Sequence, residues 1–427
     1  MSAEPREITE FDYPSEELIE CPYPFYDALR EQAPVHRLPS GEYFVSRWEE
    51  VVEAARNTAV FSNNLGAFKA ELVRAYVEGN EAHGRPYTPW PAPFSDPPEH
   101  RRKRSFLLPL FSPAQLRMAE PTVRSTADEL IDGFAERGHV EFLREFADPF
   151  PSLVFFQLLG VPAEDVSEVR GWLSQDSDAL LNDAASNDAT STGSPLLHSA
   201  NAGDGRARAR AYFEALIEER NRRPQQDLLT ELVQAKTTAD DGELDLYYLA
   251  GEVSNLYAAA TLTTVFMIAS TMTLLASDTE RCCDVARSPE LIPTIVDESL
   301  RLEAPVQWLQ RYVKQDTTLG GVEIPAGSIV MLSWASGNRD PARFDEPRSF
   351  RSDRANLARD LLSFGHGAHR CAGAALARLE GRVAFEQLLS RLRRIRLAAG
   401  ADSSHIGSTK YRSPRAVPIE FERRPAA

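Results

Sequence analysis

Cysteine is scarce in this chain, with four in 427 residues. That is no secreted disulfide framework, and each thiol has to be read alone. Cys21, Cys282 and Cys283 lack any motif around them, and adjacent cysteines rarely bridge. Positive charge is in deficit. Lys and Arg total 47 against 63 Asp and Glu, leaving a net charge of −16, which argues against a surface built for nucleic acid or anionic membrane. An apolar leader is missing too: MSAEPREITEFDYPSEELIE is acidic throughout, neither a signal nor a transit peptide, so the cytoplasm is the expected location. No Gly-x-Gly-x-x-Gly follows a strand pattern, which excludes a recognisable flavin or nicotinamide site within the chain.

What is present has the balance of an ordinary soluble protein, 43% hydrophobic and 26% charged. A chain this long buries roughly three quarters of its unfolded surface without covalent staples. One run stands out. From Val253 to Ser277 no charge, Gly or Pro interrupts, which meets the length of a membrane span. Ser254, Asn255, Thr261, Thr263, Thr264, Ser270, Thr271, Thr273 and Ser277 punctuate it, and it stands alone in mid-chain. A helix buried on all sides in a soluble protein is the better reading.

Around that run the texture is mostly helical. A strand at Tyr43–Val45 precedes a helix at 49–56, and residues 67–95 form a Gly- and Pro-rich loop too long for a plain connector. SDPPEHRRKR reads as a helix start capped by Ser95 or Asp96. Residues 182–205 read as a polar lid or linker. A helix at 291–302, a strand at 305–309, a hairpin at 317–324, a strand at 328–334 and a helix at 373–389 follow, and AVPIEF closes the chain as a strand. The fold class is mainly α with a smaller β portion. Residues 1–20 read as an N-terminal extension and 21–427 as one domain.

The chemistry concentrates in Phe364-Gly-His-Gly-Ala-His-Arg-Cys-Ala-Gly373. Glycines on both sides of Cys371 permit tight turns, and a helix begins directly behind it. Its positive end and unpaired N–H groups favour a thiolate. Such a thiolate can be a nucleophile, a redox centre or an axial metal ligand. No Cys-x-x-Cys accompanies it, so zinc and iron–sulfur sites lack support.

This decapeptide, Phe-Gly-x-Gly-x-His-x-Cys-x-Gly, resembles the haem-ligand loop of the cytochromes P-450 at every fixed position. The resemblance spans nearly the whole chain. Glu298-Ser-Leu-Arg301 together with Arg354 resembles the family's Glu–Arg–Arg triad. The resemblance implies the cytochrome P-450 fold with a long central helix over the distal haem face. It also implies haem b (iron protoporphyrin IX) on Cys371, flanked by Phe364 and Gly373. His100, Arg104, Arg311 and His369 are implied to hold the propionates. The uncharged run then becomes the oxygen-activating helix. Its usual Ala-Gly-x-acid-Thr is here Ala259-Ala260-Thr261-Leu262-Thr263, with Thr263 as the catalytic alcohol and Ala259 beside the cofactor.

Leucine cannot relay a proton. Either another group or water delivers protons, or a polar substrate does, or the enzyme is a peroxygenase or an oxidative coupling or nitration catalyst. The leading expectation is an oxidoreductase, a monooxygenase placing one oxygen atom from O2 into a small-molecule substrate of specialised metabolism. Trp90, Phe94, Ala260, Leu262, Val306, Trp308 and Leu309 are the candidate pocket lining. The stretches 67–94, 180–197, 256–260, 306–309 and 406–409 would contribute it. Electrons would come from a ferredoxin or flavodoxin with its reductase, docking near Arg102, Arg370 and Arg378. No nucleic acid or membrane partner is expected. A haem sensor or carrier without turnover is the reading outside enzymes.

Overall fold

All but the last residue of the uncharged run lies inside one helix, Leu246–Ala276, that joins two apolar cores. In the computed structural model, which describes residues 6–64, 92–173, 204–239, 246–402 and 404–424, its first half and second half pack differently. Tyr248, Leu249, Val253 and Tyr257 pack with Phe106, Phe156, Phe213 and Leu229, from the helices Glu99–Leu107, Pro149–Leu159, Asp204–Arg222 and Leu228–Ala239. Phe266, Ile268, Met272 and Leu275 pack instead with the helices Pro113–Asp132, Ile292–Leu302 and Ala374–Arg391. Length and apolarity would suffice to cross a membrane, but most of the apolar window is buried against this protein.

The helix is not buried on all sides, contrary to expectation. Ala259 is exposed and Leu256 and Thr263 are half-buried. One face opens at the seam between the two cores. An opening there costs little packing, because neither core is interrupted.

The sheets are small. β1 (Val35–Arg37), β2 (Tyr43–Val45), β3 (Phe61–Ser62), β5 (Trp308–Val313) and β8 (Ile329–Ser333) form a sheet ordered β1-β2-β8-β5-β3. Among the described strands only β2 and β8 pair in parallel. β4 (His139–Glu141), β10 (Pro418–Arg423) and β9 (Leu392–Leu397) form a second sheet, and β6 (Thr317–Leu319) with β7 (Val322–Ile324) the expected hairpin.

Two local expectations need correcting. The strand expected at 305–309 is β5, which begins at Trp308, so Arg311 lies within it, opposite Val330 of β8. Val306 makes only an isolated bridge to Tyr411. The helix Glu99–Leu107 is preceded by Pro98 and has no side-chain cap. The Asp96 carboxylate is occupied elsewhere, accepting from Ser62 Oγ at 2.6 Å, Asn63 N at 3.1 Å and Lys314 Nζ at 3.2 Å. Ser62 and Asn63 at the end of β3 and Lys314 just past β5 thus converge on one carboxylate.

Candidate active site

The loop 364–373 is wound tightly. Cys371 N donates to Phe364 O at 2.7 Å, and Arg370 N donates to Gly367 O at 3.1 Å. Gly365 and Gly367 sit at φ 68° and 71°, where a side chain is strained. Gly367 also presses on the helix Trp48–Arg56, since a Cβ there would stand 2.5 Å from Ala55 O. Behind the cysteine, Gly373 precedes the first turn of Ala374–Arg391. The backbone N–H groups of Gly373 and Ala374 bond the Cys371 sulfur, and Arg104 and Arg370 add positive charge. Burial nevertheless outweighs them and pushes the thiol up. The helix-end effect has the expected sign. A cation at the sulfur is what would complete the thiolate.

Beside the cysteine the structure brings four cations or potential cations together. His100 is 2% exposed and Arg311 is 3% exposed. The His100 and His369 rings lie with centroids 4.0 Å apart. Arg104 donates to Arg370 O, and Arg311 Nη1 to Gln310 O at 2.8 Å. Burial, then Arg311, His100 and Arg104, push His369 down to about 2. Burial brings Arg311 down to about 10, Asp96 partly offsetting it. His100 Nδ1 and His369 Nε2 are buried with no hydrogen-bond partner. Among the described residues no acid hydrogen-bonds any of the four. A buried cationic group of this kind calls for an anion with several acceptor oxygens.

On the long helix, Ala259 and Thr263 share the open face, and Thr263 Oγ1 donates to Ala259 O at 3.1 Å. Leu262 packs against the larger core and Ala260 against the other. Thr261 is buried and donates to Tyr257 O at 2.8 Å. From β5, Leu309 is 37% exposed and shares a strand face with Arg311. Trp308, expected in the pocket, points the other way. It is buried with Tyr26 and Phe44, and its indole donates to Thr409 O at 3.0 Å. Val306 is half-buried against the β-sheet core and Phe94 is half-buried. Trp90, most of the loop 67–94 and the lid 180–197 lie outside the described residues.

Glu298, Arg301 and Arg354 do meet. Arg301 forks onto Glu298 with both bonds at 2.8 Å, and Arg354 Nε reaches Glu298 Oε1 at 2.9 Å. Arg301 and Arg354 both bond Ser349 O, and Arg301 also holds Asn338 O and Pro347 O. The triad thus ties the aperiodic stretch before the cysteine loop to the helix Ile292–Leu302.

The match to known proteins follows this geometry. Residues 288–396, which hold the triad and the cysteine loop, match the family model described as Cytochrome P-450. The chain is 34% identical to cytochrome P-450 130 of Mycobacterium tuberculosis, covering 96% of this chain and 97% of that one. The chain belongs to the cytochrome P-450 family. It is also 32% identical to the vitamin D(3) 25-hydroxylase of Pseudonocardia autotrophica, with 95% of each covered. A substrate-free Mycobacterium marinum cytochrome P-450 superposes at TM-score 0.82 and 30% identity, covering 98% and 100% of the two chains. The protein is an oxidoreductase, a monooxygenase of the haem b class. The residues present fit that group: a sulfur at a helix start, and a cationic cluster whose buried nitrogens lack acceptors, suited to two propionates.

Two polar elements escaped the sequence reading. Asp96 reads as a helix cap but clamps chain segments. Glu252 stands one residue before the uncharged run and so fell outside its count.

Proposed function

We propose that this cytochrome P-450 inserts one oxygen atom of O2 into a small, largely apolar organic molecule, in the cytoplasm and in specialised metabolism. In this reading residues 21–427 work as one catalytic unit with 1–20 as an extension. Cys371 would hold the haem iron through its sulfur, the charge on which the Gly373 and Ala374 N–H groups would spread. His100, Arg104, Arg311 and His369 hold the two propionates. The observation that carries this reading is the pair of buried, unpartnered imidazole nitrogens beside the cysteine loop.

When bound, the haem supplies O2 activation, which the sulfur's electron donation assists. The chain's own residues do the rest. Leu309 and Ala259 offer apolar surface to substrate, and Thr263 Oγ1 holds and passes a proton. The hydroxyl already bonds a carbonyl of its own helix, so it must rotate to hand a proton on. A relative named as a vitamin D(3) 25-hydroxylase supports an apolar substrate class. Two electrons arrive from a separate ferredoxin or flavodoxin and its reductase.

The test is turnover of a screened substrate under labelled O2 with NAD(P)H and surrogate donors. One labelled oxygen per product is expected. Cys371→Ser must abolish the thiolate-type spectrum of the reduced carbon monoxide complex; an unchanged spectrum removes the assignment. A second reading is favoured by Leu262, which packs into an apolar core where an acid is usual. Peroxide supporting equal turnover without donors, and no label from O2, would select a peroxygenase or coupling enzyme.

A further inference from the structure

Glu252 is 1% exposed and lies on the distal helix. Its Oε1 accepts from Tyr248 Oη at 2.6 Å and from Ala92 N at 3.3 Å. Its Oε2 is buried without a hydrogen-bond partner. A buried carboxyl with an unused oxygen is costly as an anion, which favours its protonated form. Burial accordingly pushes its pKa up, against the hydrogen bonds of Tyr248, Ala92 and Asn255 and the charge of Lys103.

Its place in the helix is what matters. Glu252, Leu256, Ala259 and Thr263 follow at steps of four, three and four, so they form one stripe. Thr263 lies three turns on, roughly 16 Å along the axis. Asn255, half-buried, stands between them along the helix, about one turn from Glu252 and about two from Thr263. The stripe ends on the open face at Ala259 and Thr263. Toward the surface, Lys103 is wholly buried and bonds Ser95 Oγ at 3.1 Å. It also pairs with Glu99, whose side chain is 47% exposed, and its ammonium lies 5.9 Å from the Tyr248 ring. Charged and polar groups therefore lie between solvent and Glu252 at Glu99, Lys103 and Tyr248, while beyond Glu252 the stripe toward Thr263 carries Leu256 and Ala259, with Asn255 beside it.

We propose that Glu252 is the proton-holding acid of this enzyme, supplying the Thr263 end of the distal pocket in place of the carboxylate that Leu262 replaces. The inference rests on the monooxygenase reading above. A proton leaves Glu252 Oε2 and crosses to Thr263 Oγ1 over water beside Asn255 and Ala259, Thr263 giving its own proton onward. The carboxylate left behind regains a proton from solvent by way of Lys103 and Glu99. Each turnover of the established reaction consumes two protons with its two electrons, so the balance needs no further reactant. Ala92, held by the same carboxyl, is positioned rather than protonated.

The experiment uses the holoenzyme with NADH, a surrogate ferredoxin and its reductase, in air, with no added substrate. In Glu252→Gln, which keeps the acceptor for Ala92 N, O2 consumption should fall at least about three-fold and its solvent deuterium isotope effect should rise. Adding Leu262→Asp in that background should restore the rate. A second arm needs no turnover. Infrared spectra in H2O and D2O should show an exchangeable carboxylic C=O band that Glu252→Gln removes, with exchange slowed in Lys103→Met. The reduced carbon monoxide spectrum should be the same in all variants. Wild-type rate and isotope effect in Glu252→Gln, or a band that never exchanges, would overturn the inference. Absence of any O2 consumption by wild type would count against the monooxygenase reading, leaving the infrared arm to decide the role of Glu252.

Discussion

The His100 and His369 rings meet at 4.0 Å between centroids although one comes from the helix Glu99–Leu107 and the other from the cysteine loop. The contact locks the two elements together and leaves Nδ1 of the first and Nε2 of the second unpaired. If those nitrogens serve propionates, replacing a ring by Phe keeps the packing and removes only the donor. His100→Phe and His369→Phe should each speed haem transfer to apomyoglobin about ten-fold, the weight of one hydrogen bond to a charged group. Transfer at the wild-type rate would show that the pair is packing alone.

Two glycines of the same loop should behave differently. Both have positive φ, which costs a side chain about 1–2 kcal/mol. Around Gly365 a Cβ finds its nearest atom at 3.7 Å, whereas at Gly367 it meets the Ala55 carbonyl oxygen at 2.5 Å. Gly365→Ala should therefore yield holoenzyme with a lowered melting temperature. Gly367→Ala should push the loop off the helix Trp48–Arg56 and yield little haem-loaded protein. Equal yields, judged by Soret absorbance per protein, would contradict this.

Legibility from sequence tracked how local each feature is. The cysteine loop, the Glu298–Arg301 spacing and the paired positions of His100 and Arg104 are short-range patterns, and the structure brings each set together. Trp308 and Leu309 are adjacent in one strand, so alternation sends their side chains to opposite faces, Leu309 with Arg311 on one and Trp308 into the core on the other. Asp96 was misread because its partners, Ser62, Asn63 and Lys314, lie far off in sequence. Glu252 was missed for a different reason. A run defined by absence of charge stops at the first charge, and the charge itself was the informative residue.

Acid sensitivity should trace to Glu303. Burial would raise its pKa, but the charges of Arg412 and Arg339 and bonds from Arg412 and Tyr23 outweigh burial and hold it below the usual range. A carboxyl lowered in the fold stabilises above its unfolded value, about 4.3, and that contribution is lost as pH falls through the folded value. At pH 7, Glu303→Gln should cost about 3 kcal/mol, since Arg412 is left buried without its partner. Below about pH 4.3 the gap to wild type should begin to narrow, and it should close only once the pH has fallen below the lowered folded value. Urea midpoints at pH 7, 5 and 3.5 test this; a gap that widens in acid has the wrong sign.

Docking of an electron donor must work against the whole molecule's charge of −16 if that donor is acidic. A local cationic patch can still steer it, because at about 0.1 M salt charges beyond roughly 10 Å are screened. Of the three arginines expected at the docking face, Arg370 is exposed and Arg102 half-buried. Arg378 is already balanced, its Nε on Asp297 at 2.7 Å and its guanidinium 4.5 Å over the Phe364 ring. Arg370→Glu should therefore slow reduction by reduced ferredoxin about ten-fold at 0.1 M salt and flatten its decline with ionic strength. Arg378→Gln should change the rate less than about two-fold. Reduction followed by stopped-flow trapping with carbon monoxide measures both, and a larger effect at Arg378 than at Arg370 would place the donor on the other side of the loop.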